Sequence, residues 1–228
     1  MPNWVFNSLD IEGNAEDIAK VKAQLSSPYT RGFVDVDWQT KERKITETVY
    51  TNPIFAFWNI IKPTDMEAYH KQPDHSRLLE ETLKFESNDW YAWNVRNWGC
   101  KWDVAVNDGE EYPETELYDE DDTSLGYHFQ TAWGVADHAL IKLTEQYPNL
   151  KFRLNFQEET GWGGEWVFEN GEYLTTEEYN WQCPECDYME MDDPDVNNCE
   201  ECEYTVCPSC GYNDSSEPCE THKEKENA

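Results

Sequence analysis

Residues 136–156, ADHALIKLTEQYPNLKFRLNF, carry two hydrophobic periods in succession. Ala136, Leu140, Leu143 and Tyr147 recur at helical spacing, and Pro148 ends that pattern. Lys151 to Phe156 then alternates: Phe152, Leu154 and Phe156 fall on one face of a strand, Lys151, Arg153 and Asn155 on the other. Working outward, Gly126 to Trp133 (GYHFQTAW) reads as a strand before the helix. Trp162 to Phe168 reads as a strand after it, turned at Asn170-Gly171. The order is β-α-β-β.

The opening of the chain repeats the theme. In MPNWVFNSLDIEG (Met1–Gly13), Val5, Leu9 and Ile11 share one parity, as a half-buried strand requires. Asn14 is placed to cap a helix whose first turn holds Glu16 and Asp17. Ile18, Val21 and Leu25 follow at helical spacing, and Ser26-Ser27-Pro28 stops it. Residues 30–52 read as a polar loop or hairpin with a basic knot at 41–44, and the apolar run IFAFWNII (Ile54–Ile61) as a buried strand. A short helix is expected over Arg77–Phe85, followed by an aromatic concentration at Trp90, Tyr91, Trp93, Trp98 and Trp102. These elements predict an α+β fold of ferredoxin-like type over residues 1–172, with helices on one face of an antiparallel sheet and an acidic insertion at about 103–124.

Four separated motifs occur in order: the opening MPNWVFNSLDIEG, NWGCKWD (Asn97–Asp103), TAW (Thr131–Trp133) and GWGGEW (Gly161–Trp166). Together they resemble the YubB-type family, ferredoxin-like proteins of phages and plasmids largely without assigned function. The resemblance covers about residues 1–172 and implies that fold and a mobile-element origin; it brings no catalytic residues. The sequence departs from it at Cys100, where a small hydroxyl residue is typical, and in the acidic stretch and the tail.

The tail, residues 181–223, reads C-x2-C, twelve residues, C-x2-C, four residues, C-x2-C, eight residues, C-x2-H. A tetrahedral zinc ion takes four thiolate or imidazole ligands, and each C-x2-C offers two from one tight knuckle. Cys183, Cys186, Cys199, Cys202, Cys207, Cys210, Cys219 and His222 therefore predict two structural Zn2+ sites. The short gap between Cys202 and Cys207 favours a cross-brace, with Cys183, Cys186, Cys207 and Cys210 on one metal and Cys199, Cys202, Cys219 and His222 on the other. Sequential pairing remains the alternative. CEECEYTVCPSC (Cys199–Cys210) resembles the ZZ-type zinc finger, which usually ends in two histidines rather than the single His222 found here. Residues 224–228 are a short tail.

Charge bounds the function. The chain has 48 acidic against 17 basic residues, a net −31, and such a field repels nucleic acid and anionic membrane while attracting basic protein surfaces. Ten of the twenty positions from Asp103 to Asp122 are acidic and none is basic: Asp103, Asp108, Glu110, Glu111, Glu114, Glu116, Asp119, Glu120, Asp121 and Asp122. This stretch is expected to be a solvated loop that meets a basic partner. No apolar run follows Met1 and no membrane-length apolar span occurs, so a cytoplasmic protein is expected.

The sequence offers two further readings. Trp98, Lys101, Trp102, Trp133 and Trp162 form either a ligand-binding face or an aromatic mini-core. Cys100 with His128 or His138 is the sole thiol-nucleophile combination outside the tail, and no P-loop, dinucleotide fingerprint or Ser-His-Asp pattern occurs. The expectation is a non-enzymatic acidic binding protein, encoded by a mobile element, that occupies the nucleic-acid-binding surface of a host protein. The alternatives are peptide recognition led by the zinc tail, or nucleotide sequestration at the Trp98–Asp103 face.

Overall fold

The computed structural model describes residues 3–37, 39–40, 42–71, 89–107, 114–182 and 189–190. The first strand, β1 (Trp4–Glu12), is the spine of a six-stranded sheet. It buries Val5, Asn7, Leu9 and Ile11 on one side, the parity expected of its alternation. Helix α1 (Ala15–Leu25) follows. The Asn14 side chain accepts the Asp17 N–H at 3.0 Å, and Ile18, Val21 and Leu25 are the buried residues of the helix.

After an excursion come β4 (Glu116–Glu120), β5 (Ser124–Ala132), the helix α4 (Asp137–Gln146), and β6 (Lys151–Glu158). Strand β1 pairs antiparallel with both β5 and β6, from Trp4 opposite Ala132 and from Val5 opposite Glu158. The order β4-β5-β1-β6, with α1 following β1 and α4 joining β5 to β6, is the ferredoxin-like arrangement. β7 (Gly163–Glu169) and β8 (Glu172–Tyr179) extend the sheet beyond β6. Beyond them, β9 (Trp181–Gln182) pairs with β10 (Met189–Glu190). The helices cover the face that carries Leu9, Leu125, Tyr127, Phe129, Phe152, Leu154 and Phe156, all buried. Among the described residues no helix covers the other face.

The excursion between α1 and β4 holds a separate hairpin, β2 (Tyr29–Val36) with β3 (Arg43–Tyr50), then α2 (Met66–Tyr69) and α3 (Trp90–Trp98). Phe55, Ala56, Phe57, Trp58 and Ile60 are buried and Ile54 and Ile61 partly so, as a continuous apolar run predicts, yet the segment forms a single 3-10 turn at Phe57–Asn59 rather than a strand. A run without alternation leaves the backbone period open, and here Phe55 stacks on Phe129 and Phe57 abuts Trp98 in the core beneath the sheet. The expected helix at 77–85 lies outside the described residues. Helix α3 is closed at each end: Asp89 accepts the N–H groups of Tyr91 and Ala92, and Gly99 stops the helix at φ 90. A Cβ at Gly99 would stand 2.4 Å from the Val135 carbonyl oxygen, so only glycine fits that turn.

The acidic stretch is not a loop throughout. Residues 116–120 form edge strand β4, with a bulge between Leu117 and Asp119. Charge and a bulge are what an edge strand uses to avoid unwanted pairing, so acidity here is compatible with strand. No helix among the described residues is long and apolar enough to cross a membrane.

Candidate functional site

The open face of the sheet is a trough of about 1190 Å³. One row of residues crosses all six strands in register: Glu116, His128, Ser8, Asn155, Glu165 and Glu177. The neighbouring row is Gln130, Phe6, Gln157, Gly163 and Tyr179. Carboxylates thus stand on both rims, and the floor between them is neutral. On the first rim His128 Nδ1 lies 2.9 Å from Glu116 Oε1, Gln130 donates to Glu114, and Tyr118 stacks on His128 at 4.1 Å. On the second, Arg153 donates to both oxygens of Glu165 at 3.1 and 3.2 Å. Phe6 stands in the floor and is 48% exposed, although it could have been buried had the strand faced the other way. One cation, Arg153, stands on the same face beside the trough and is already paired with Glu165, and among the described residues Lys and Arg are otherwise absent from the lining.

The acids singled out from sequence separate into groups. Glu114 and Glu116 line the trough. Asp119, Glu120, Asp121 and Asp122 lie at the far end of β4 and its turn, where Glu120 pairs with Lys22 of α1 and Asp121 accepts the Thr123 N–H. Asp108, Glu110 and Glu111 lie outside the described residues. Asp103 requires a correction, because its side chain is 5% exposed and turned into the protein. Its Oδ1 accepts the N–H groups of Phe57 and Val104 at 2.8 and 2.9 Å, and its Oδ2 accepts the Trp58 N–H at 3.2 Å and the Tyr29 hydroxyl at 3.3 Å. Arg31 Nη1 stands 3.5 Å away. Burial pushes the Asp103 carboxyl up, opposed by Arg31 and the backbone donors. The guanidinium of Arg31 lies over Trp58 and Trp98 at 4.8 and 5.2 Å and donates to Tyr69, whose hydroxyl donates to Asn94 at 2.9 Å. This cluster fastens the hairpin, the 3-10 turn and α3 to one another and is structural.

Trp98 also requires correction as a ligand-face residue, being fully buried with its Nε1–H donating to the Ile61 carbonyl at 3.1 Å. The other members do meet solvent at one end of the sheet. Trp102 is 37% and Trp133 50% exposed, and the Lys101 ammonium sits 4.4 Å from the first ring centre and 3.8 Å from the second. Trp162, half-buried in the β6–β7 turn, packs on Phe156 instead. Trp4 and Tyr91, which the sequence does not assign to this face, complete the array: Trp4 tilts against Trp102 at 6.0 Å, and Tyr91 meets Trp133 edge-on at 5.8 Å.

Cys100 faces the core. Its Sγ donates to the Trp102 carbonyl at 3.2 Å, and burial pushes the thiol up, which keeps it protonated and non-nucleophilic. His128 is tied to Glu116 and His138 to the Arg96 carbonyl, so neither is shown partnering the thiol. Cys183, Cys186, Cys199, Cys202, Cys207, Cys210, Cys219 and His222 all lie outside the described residues. Cys183 and Cys186 fall in the six residues separating the paired strands β9 and β10. Among the described residues no group of His, Cys, Asp or Glu is arranged to hold a metal.

Residues 101–195 match the family described as the ferredoxin-like domain in Api92-like protein. That domain is therefore found in the chain, running from Lys101 through the second half of the sheet. The ferredoxin-like fold implied by the YubB-type resemblance agrees with it, and the family matched is the Api92-like one. Among solved structures, the chain is similar to the crystal structure of a protein api92 from Yersinia pseudotuberculosis, with 10% identity and a TM-score of 0.44 over 80% of this chain and 100% of that one. No curated protein matches the chain.

Proposed function

We propose that the chain is a non-enzymatic, acidic binding protein that occupies a basic, nucleic-acid-binding surface of a host protein, with the open sheet face as its docking surface. The observation that carries this reading is the row Glu116, His128, Ser8, Asn155, Glu165, Glu177, which sets carboxylates on both rims of a trough with a neutral floor. Glu116 and Glu165 are four strand spacings apart, about 19 Å. A helix about 10–12 Å across fits between such rims, leaving its flanking lysines and arginines within reach of the carboxylates. The −31 net charge adds a long-range field that draws a basic partner and repels nucleic acid itself. In this reading the tail binds two zinc ions as a separate structural module.

The test is calorimetric titration with a lysine- and arginine-rich helical peptide. Three proteins are compared: the native chain, a Glu116→Gln/Glu165→Gln/Glu177→Gln variant, and a Glu42→Gln/Glu47→Gln/Glu67→Gln control with the same charge loss at exposed positions elsewhere. Binding is expected to fall at least about tenfold in the trough variant, the equivalent of about 1.4 kcal/mol, and far less in the control. Equal loss in both would reduce the reading to bulk charge, and no binding by the native chain would refute it.

A further inference from the structure

Lys101 is in an unusual position for a cation in this protein. The chain has 48 carboxylate side chains, yet among the described residues none forms an ion pair with Lys101. The ammonium lies instead between two indole faces, 4.4 Å from the centre of Trp102 and 3.8 Å from that of Trp133. Partial loss of solvent lowers its pKa, in keeping with a cation held against apolar rings. The indoles themselves are held at some cost. Trp133 has φ 70, a left-handed conformation that is strained for a non-glycine residue. It is locked there by its own N–H donating to the Asn3 carbonyl at 2.9 Å, while the neighbouring Lys101 N–H donates to Ala132 at 3.0 Å. Tyr91 braces the far side of Trp133 and Trp4 braces Trp102. The fold thus spends backbone strain to hold two aromatic plates apart in solvent, with one cationic head between them.

We propose that Trp102 and Trp133 form a clamp for an arginine guanidinium of the docking partner, and that Lys101 fills it as a tethered stand-in while the protein is free. This deepens, and for the source of the guanidinium rests on, the reading of the open face as a docking surface. The clamp lies at the end of that face: Trp4 is two residues before Phe6 on the same side of β1 and directly opposite Ala132, the residue before Trp133. A basic chain lying over Phe6 therefore has the clamp ahead of it. The occupant is a cation rather than an anion because the site belongs to a chain of net charge −31, and the turn residues Glu158 and Glu159 lie at the same end of the sheet. Guanidinium is favoured over ammonium because it is planar, stacks on indole and gives up its hydration more readily.

The proposal makes Lys101 a competitor, and competition has a sign that a structural role lacks. N-acetyl-arginine amide serves as the probe, with binding read from the indole N–H resonances of Trp102 and Trp133 in the full chain. Lys101→Met removes the stand-in and is expected to tighten probe binding by about 2- to 30-fold, the range that a cation–π contact spans. Lys101→Arg supplies a tethered guanidinium and is expected to bind the probe no better than the native chain. Adding Trp133→Ala to the Lys101→Met background is expected to abolish the gain. Unchanged or weaker probe binding by Lys101→Met would overturn the clamp, as would resonance shifts produced by adenosine monophosphate and lost with Lys101, which would make the site a reader of anions. The probe is too small to need the trough. Loss of basic-helix binding with an intact probe response would thus count against the docking face alone, and the reverse pattern against the clamp alone.

Discussion

The Arg31–Asp103 pair is the most consequential contact of the interior. Both side chains are about 5% exposed, and their neighbours come from four separate segments: β2, the 3-10 turn, α2 and α3. Removing one partner leaves an uncompensated buried charge, so Arg31→Met is expected to cost about 3–5 kcal/mol. Arg31→Met combined with Asp103→Leu is expected to recover part of that loss, since an apolar pair of similar volume avoids the burial cost. Denaturant unfolding of the native chain and the two variants checks this; a loss below about 1 kcal/mol for Arg31→Met would contradict the burial described. Cys100 is expected to escape alkylation by iodoacetamide in the folded chain and to react after unfolding, as peptide mass spectrometry would show. Neither assignment was legible in the sequence. Asp103 opens a stretch in which half the residues are acidic, and nothing local marks it as a carboxylate turned inward. Its partner lies 72 positions earlier, in a segment that reads as a polar hairpin. For Trp98 the sequence leaves core and ligand face open for a related reason: an indole in an aromatic cluster has the same local pattern whether it is core or surface, and the structure places it in the core.

At the level of elements, periodic segments were legible and aperiodic ones were not. The alternation in β1 and β6 and the helical spacing in α1 and α4 place the same residues inward in sequence and in structure. Leu154, fully buried in β6, is expected to cost about 2–5 kcal/mol as Leu154→Ala. The run at 54–61 has no period, and the structure folds it as a turn. Strand β4 was hidden by its charge, because an edge strand exposed along most of its length shows little hydrophobic signal. The second rim of the trough was missed for a simpler reason. Glu165 and Glu177 lie twelve positions apart on two strands, and only the β7–β8 register makes them neighbours. The tail is legible as chemistry, since ligand spacing does not depend on a hydrophobic period. Two zinc ions per chain are expected by atomic absorption, and chelation is expected to unfold residues 181–223 while leaving the ferredoxin-like unit folded. Native mass spectrometry finding no zinc in freshly purified protein would contradict the tail reading.

For the whole molecule, the claim is that one face of a ferredoxin-like sheet stands in for nucleic acid on a basic surface. Among the described residues the helices cover one side of the sheet, and the other carries carboxylates in a fixed frame set by strand register. A rigid frame distinguishes such a surface from an acidic tail of equal charge, because the carboxylate spacing is held before binding occurs. Screening by salt sets the second expectation: affinity for a basic helix should fall steeply as the Debye length shrinks from about 30 Å at 0.01 M to about 8 Å at 0.15 M. The central measurement is competition. A fluorescent DNA duplex is bound to a basic DNA-binding protein at low salt, and its release is followed by anisotropy as the native chain, the trough variant or the charge-matched control is added. The account predicts release by the native chain and by the control, and little by Glu116→Gln/Glu165→Gln/Glu177→Gln. Release by all three at one concentration, or by none, would contradict it.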